Sequence, residues 1–233
     1  MIRIALSILF LFCAFYGRSQ FGIRSMYNLN SYPDWERIVE SANLVYYEDL
    51  LDVGYTIEVD YWMRLQNQRI EFFPSLQYTY ANSSIDAIEE ATRHNFKSIG
   101  FALNTHFYPL DFFGDCDCPT FKKQGSFFKK GFFINVSPAI TYVNKRIDHF
   151  SSTPEVDHSQ INVSIALGAG VDIGINNLLT ISPIVQYRYT PSSDFPGISA
   201  AHGIVHATPP DETSSIGQLQ LGLRLGFRFD YKD

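Results

Sequence analysis

The chain of 233 residues is poor in cysteine, with three, and in tryptophan, with two. Charged residues make up only 18%, against about a quarter in an ordinary soluble domain. So little cysteine excludes a disulfide-knit scaffold. The 18 bases are outnumbered by 24 acids, for a net charge of −6, which excludes a nucleic-acid binder working through a broad basic face. After Phe15 there is no apolar run of about 18 residues, so no membrane-crossing helix is expected in the remainder. What abounds is aromatic: 20 Phe and 14 Tyr, too apolar a composition for a disordered chain.

The N-terminus reads as an address. Arg3 precedes an apolar stretch, Ile4–Tyr16, and Gly17-Arg18-Ser19 places small residues at −3 and −1 of a cut after Ser19. This pattern predicts a secretory signal peptide over residues 1–19, leaving 20–233 as one domain. Cys13 follows Phe12, where a lipoprotein signal needs a small residue, so lipidation is not expected. Cleavage removes Arg3 and Arg18 but no acid, and leaves Cys116 and Cys118 in an oxidising compartment.

The rest of the chain alternates. In Gln218–Phe229, Leu219, Leu221, Leu223, Leu225, Phe227 and Phe229 share one face, while Gln218, Gln220, Arg224 and Arg228 share the other. Ile161–Ile175 is as regular, and a period of two over such lengths is strand. Six further segments read alike: Phe21–Asn30, Asp52–Leu65, Ile70–Tyr80, Ser98–Tyr108, Phe132–Val143 and Leu178–Thr190. Most reach the roughly 9–11 residues a tilted strand needs to cross a bilayer. Gln66-Asn67-Gln68 and Asn176-Asn177 suit tight hairpin turns, and the other connections are long.

Eight long antiparallel strands, short and long connections in alternation and a signal peptide predict an all-β, eight-stranded, up-and-down transmembrane barrel. In these features the chain resembles the small outer-membrane barrels of Gram-negative bacteria, the OmpA/OmpX-like type, and its aromatic strands and Gln20 start look most like the Bacteroidetes members. The resemblance implies an integral protein of the outer membrane. A soluble lipocalin-like barrel is the structural alternative, but Arg and Asp opposite the apolar face argue against an apolar cavity. Pro74, Pro138 and Pro183 are each followed four residues later by Tyr78, Tyr142 and Tyr187, in strands three, five and seven. On the apolar face these tyrosines would form a belt near one interface, with each proline marking an irregularity in its ladder.

The inward face is expected to carry Arg24, Glu58, Asp60, Arg64, Glu71, His106, Asp172, Arg188, Arg224 and Arg228. Eight strands leave room only for side chains, so ion pairs among these residues read as a filled plug in preference to an ion or substrate path. A periplasmic N-terminus makes residues 31–50, 81–97, 148–160 and 191–215 the outer loops, with Ala42–Tyr47 either extending a strand or forming a short helix. These loops are rich in acids, from Asp34 to Glu212, and hold only Arg37, Arg93 and Lys97 as bases.

Several motifs are candidates for chemistry. Asp115-Cys116-Asp117-Cys118 lies in the 111–131 connection; a loop disulfide between Cys116 and Cys118 ranks first, free or intermolecular thiols second and metal third, since zinc sites favour wider spacing and four ligands. The lysine pairs Lys122-Lys123 and Lys129-Lys130 suit an anionic leaflet or partner, or simply flank a strand entry. Asp148-His149 and Asp157-His158 bracket the third outer loop and could converge on a divalent cation. His149-Phe-Ser151 resembles the His-x-Ser of lipid A deacylases, with Glu155 the local candidate to orient the imidazole; the rest of that motif is absent. His202 and His206 lie among Gly and Pro that oppose the helix such spacing needs. Polar loop chemistry accounts for these more simply. The expectation is a non-enzymatic envelope protein without cofactor, contacting outer-membrane lipid and a protein partner through the 111–131 segment or the acidic loops. A lipid-modifying hydrolase and a narrow porin-like channel are the alternatives.

Overall fold

The computed structural model describes residues 20–42, 50–65, 68–86, 91–112, 127–149, 156–176, 178–201 and 211–228. Among them eight antiparallel strands close on themselves: β1 (Gln20–Ser31), β2 (Val53–Tyr61, continued by Met63–Arg64), β3 (Ile70–Asp86), β4 (Ala91–Phe107), β5 (Phe132–His149), β6 (Val156–Val171, continued by Ile173–Gly174), β7 (Leu179–Asp194) and β8 (Thr213–Arg228). Neighbours in sequence are neighbours in space, and β1 pairs with β8 from Gln20↔Arg228 to Ser31↔Gly217. Closure leaves no open sheet edge.

The polarity of the wall is inside out. Leu76, Ile99, Ile161, Val163 and Leu167 point outward and are about 60–70% exposed, whereas Arg24, Asn28, Glu58, Asp60, Asn104 and Gln220 point inward and are buried. Tyr78, Tyr142 and Tyr187 all lie on the outward face, as the proline–tyrosine repeat predicts. Each proline breaks one of its two ladders: the β2–β3 ladder skips from Asp60↔Ser75 to Met63↔Phe72 beside Pro74, the β4–β5 ladder from Ala102↔Ala139 to Thr105↔Val136 beside Pro138, and the β6–β7 ladder from Gly170↔Ile184 to Ile173↔Ile181 beside Pro183.

Six of the strands are longer than the alternation of apolar residues suggests. β3 to β8 run 16–18 residues, against 12 in β1 and 9 in β2. The described residues of 81–97 and 148–160 are therefore strand rather than loop. The reason is an inversion of polarity beyond the tyrosines. There Ala81, Phe96, Val143 and Ile147 turn inward and are buried, while Asn82, Lys97, Asn144 and Arg146 turn outward. A pattern read for an apolar outer face stops where water replaces lipid outside.

The inward apolar residues of this end form a core with α1 (Pro33–Ala42), which is a helix in the first long loop. Pro33 opens α1, Asp34 and Glu36 occupy its positive first turn, and the Tyr32 N–H donates to Glu36 Oε1 at 2.7 Å. Trp35 and Val39, four apart, face the core. Trp35 stacks on Tyr32, meets Phe195 edge-on and donates its indole N–H to Glu212 O at 2.8 Å. Glu212 also accepts from the backbone of Gly197 and Ser199, fixing a short α3 (Ile198–Ala201) that packs on α1. The helix thus precedes the Ala42–Tyr47 stretch, most of which lies outside the described residues. At the opposite end are Gln20 and Arg228, the connections from β2 to β3 and from β6 to β7, and α2 (Phe127–Gly131).

Candidate functional site: the lumen and its two ends

The lumen is built by inward positions two residues apart on every strand. At mid-depth, Arg24 faces Glu58 at 3.6 Å and donates to Asn104 Oδ1 at 2.7 Å; Asn104 Nδ2 returns to Glu58 Oε2 at 3.0 Å. Arg224 grips Asp60 with two hydrogen bonds, 2.7 and 2.6 Å, and lies over the Phe73 ring. Two glycines make this possible, because a Cβ on either Gly22 or Gly226 would fall within 2.6 Å of the Arg224 guanidinium. A belt of amides then crosses the barrel: Asn135 donates to Gln186, Gln186 to Gln220, Gln220 to Asn28, Asn28 to Thr56, and Thr56 meets Thr79, all at 2.6–3.0 Å. It touches six of the eight strands.

Not every expected ion pair forms as the inward pattern suggests. Arg188 is buried but donates to neutral Ser164, Ser137 and Gln220. Asp172 accepts from Tyr108 Oη and Ser182 Oγ, both at 2.5 Å. Glu71 meets Arg69, which the alternation does not mark because it sits in the turn before β3. Arg69 also binds Asp111 at 2.5 Å, donates to Lys130 O and lies 4.0 Å over the Tyr108 ring. Burial, reinforced by Asp172 and then Glu71, holds the Tyr108 phenol well above its ordinary pKa, so it stays a proton donor. Arg64 and Arg228 line a cavity of about 40 Å³ at this end, with Arg228 over the Trp62 ring at 4.6 Å. His106 is buried, stacked on Phe133 and 3.4 Å from Arg24.

The far end is closed by the apolar core. Lys145 reaches into it, 4.7 Å from the Trp35 ring, donating to Ser193 Oγ at 2.7 Å and to Asp194 O. Sequence reading misses this lysine because it lies past the last apolar outward residue of β5.

The loop candidates are distributed as follows. Asp148 points outward, bound by Arg146 at 2.5 Å and by Asn95. Asp157 is also outward and accepts from Asn144 at 2.6 Å, while His158 takes the alternate position and contacts Gln160. His149 ends β5 opposite Thr92. Ser151, Glu155, Cys116, Cys118, His202, His206 and residues 1–19 lie outside the described residues. Among the described residues no three His, Cys, Asp or Glu are grouped to hold a metal.

With a polar, hydrogen-bonded interior and an apolar wall turned outward, the fold decides its own solvent. It is an eight-stranded transmembrane barrel. No protein-family model matches the chain, and no curated protein matches it in sequence. The barrel is similar to the solved structures of Neisserial surface protein A (11% identity, 89% of this chain on 96% of that one, TM-score 0.45), a major outer membrane protein of Thermus thermophilus (9%, 90% on 99%, 0.46) and the outer membrane protease OmpT of Escherichia coli (7%, 91% on 97%, 0.41).

Proposed function

We propose that this chain is a non-enzymatic barrel of the Gram-negative outer membrane that works through its outside, holding or recruiting a partner in the envelope. The observation that carries this reading is the double closure of the lumen. The amide belt and ion pairs fill the membrane half, and the core around Trp35 seals the end bearing the long loops. A lumen so filled among the described residues leaves the outward surfaces and connections to do the work. The turn end faces the periplasm in this reading and the acidic loop end faces the medium, in keeping with short turns inside and long loops outside. Extraction in mild detergent, followed by mass spectrometry of stoichiometric companions, tests it. A specific envelope protein at constant ratio is expected. Release of fatty acid from purified lipid A, abolished by Ser151→Ala, would replace the reading with a hydrolase.

A further inference from the structure

Just beyond the tyrosines, the outward face of β4 and β5 carries a cation on each of three successive rungs. Lys97 is level with Tyr80 and Asn144, Arg146 with Asn82, Asn95 and the carboxylate of Asp157 on β6, and Arg93 with Ser84 and Asp148. One rung below Lys97 the same wall is Tyr78, Ile99, Tyr142 and Ile161, all largely exposed. The surface passes from apolar to cationic over two residues of strand, roughly 7 Å. Together the polar rungs line a shallow concavity of about 440 Å³. Its lining holds one carboxylate, Asp148, shared with Arg146 at 2.5 Å. Elsewhere on the same rim the outward positions include Ser31, Val53, Asp157, Ser159, Asp194 and Thr213, so among the described strand residues the cations of this rim are confined to β4 and β5.

We propose that this patch is a binding site for a phosphorylated lipid, its phosphates held by Lys97, Arg146 and Arg93 and its acyl chains laid against the Tyr78–Ile99–Tyr142 wall. The juxtaposition selects the ligand. A soluble phosphoester or an acidic protein has no use for the apolar rungs directly beneath the charges, and an unphosphorylated lipid has none for the charges. The depth fits a headgroup, where a base near an anionic surface contributes roughly fivefold in affinity. The site rests on the barrel's membrane placement. With the loop end outward, the lipid is the phosphorylated glycolipid of the outer leaflet.

The test uses the full exported barrel in phosphatidylcholine nanodiscs containing a few per cent of bisphosphorylated lipid A or of the same lipid with its phosphates removed. Native mass spectrometry counts the lipid A retained. Wild type should retain the phosphorylated form selectively, and the triple substitution Arg93→Gln, Lys97→Gln, Arg146→Gln should lose on the order of a hundredfold in affinity. Arg37→Gln, a base on α1 away from the patch, should leave retention unchanged. Heat-modifiable migration shows that each variant is folded. Should the triple variant not fold, Lys97→Gln alone and the wild-type comparison of the two lipids carry the decision. Equal retention of both lipids, or retention indifferent to the substitutions, overturns the proposal. Lipid A is offered in both leaflets here, so an error in sidedness cannot mimic either result.

Discussion

Arg224 shows how a charge is kept inside this barrel. Two hydrogen bonds to Asp60 and the Phe73 face satisfy it, and Gly22 and Gly226 clear the space for its fork. Removing one partner leaves the other ionised and buried, which costs about 3–5 kcal/mol. Asp60→Leu or Glu58→Leu alone should therefore lower stability by that much in urea unfolding of the reconstituted barrel. Arg224→Met with Asp60→Leu should recover most of the loss. If the single variants unfold like wild type, the lumen is hydrated and the ion pairs contribute little. At this scale the sequence was informative but incomplete. Period two marks Arg24, Glu58, Asp60 and Arg224 as inward, because inward and outward differ by one residue in a strand. It is silent on Arg69, which enters from a turn, and it places Arg188 inward without foretelling that its partners are serines and a glutamine.

The strands themselves are two kinds of strand joined end to end. Their lower halves bury polar side chains and expose leucine, isoleucine and tyrosine; their upper halves bury Ala81, Phe96, Val143 and Ile147 around α1. Alternation shows the first kind plainly, since six leucines or phenylalanines recur on one face of Gln218–Phe229. The second kind is hidden because its inward residues are few per strand and join residues of α1 and α3 that meet them only in the fold. Helix α1 is the keystone of the upper half. Trp35→Ala deletes the ring that contacts Tyr32, Phe195 and Lys145 and the bond to Glu212, a loss of about 3–5 kcal/mol confined to this end. Limited proteolysis should then cut at the loop end while the barrel keeps its heat-modifiable migration. Loss of both together would mean that the two halves fold as one unit.

For the whole molecule, two seals in series predict an electrically silent protein. Wild type in planar bilayers should show no steady conductance, and neither should a variant lacking residues 33–42, because the amide belt lies beneath α1. Open-channel steps from the wild type would refute the filled lumen. Sidedness belongs to this scale too. A membrane-impermeant maleimide, after mild reduction, should leave Cys116 and Cys118 unlabelled on intact cells and label them once the outer membrane is opened. Ser152→Cys should label at once. Labelling of the native pair on intact cells would invert the assignment of every connection.

The closure of β8 onto β1 also dictates when the interior can exist. Asp60 on β2 finds its guanidinium on β8, and Asn28 and Asn30 on β1 find their amides at Gln220 and Gln218, more than 160 residues along the chain. Until the final strand arrives, Asp60 lacks its guanidinium, and Asn28 and Asn30 keep only their bonds to Thr56 and Leu51 O on the near side. Completion of the interior therefore waits on the eighth strand, and a barrel short of β8 would be an open sheet with Asp60 facing no guanidinium.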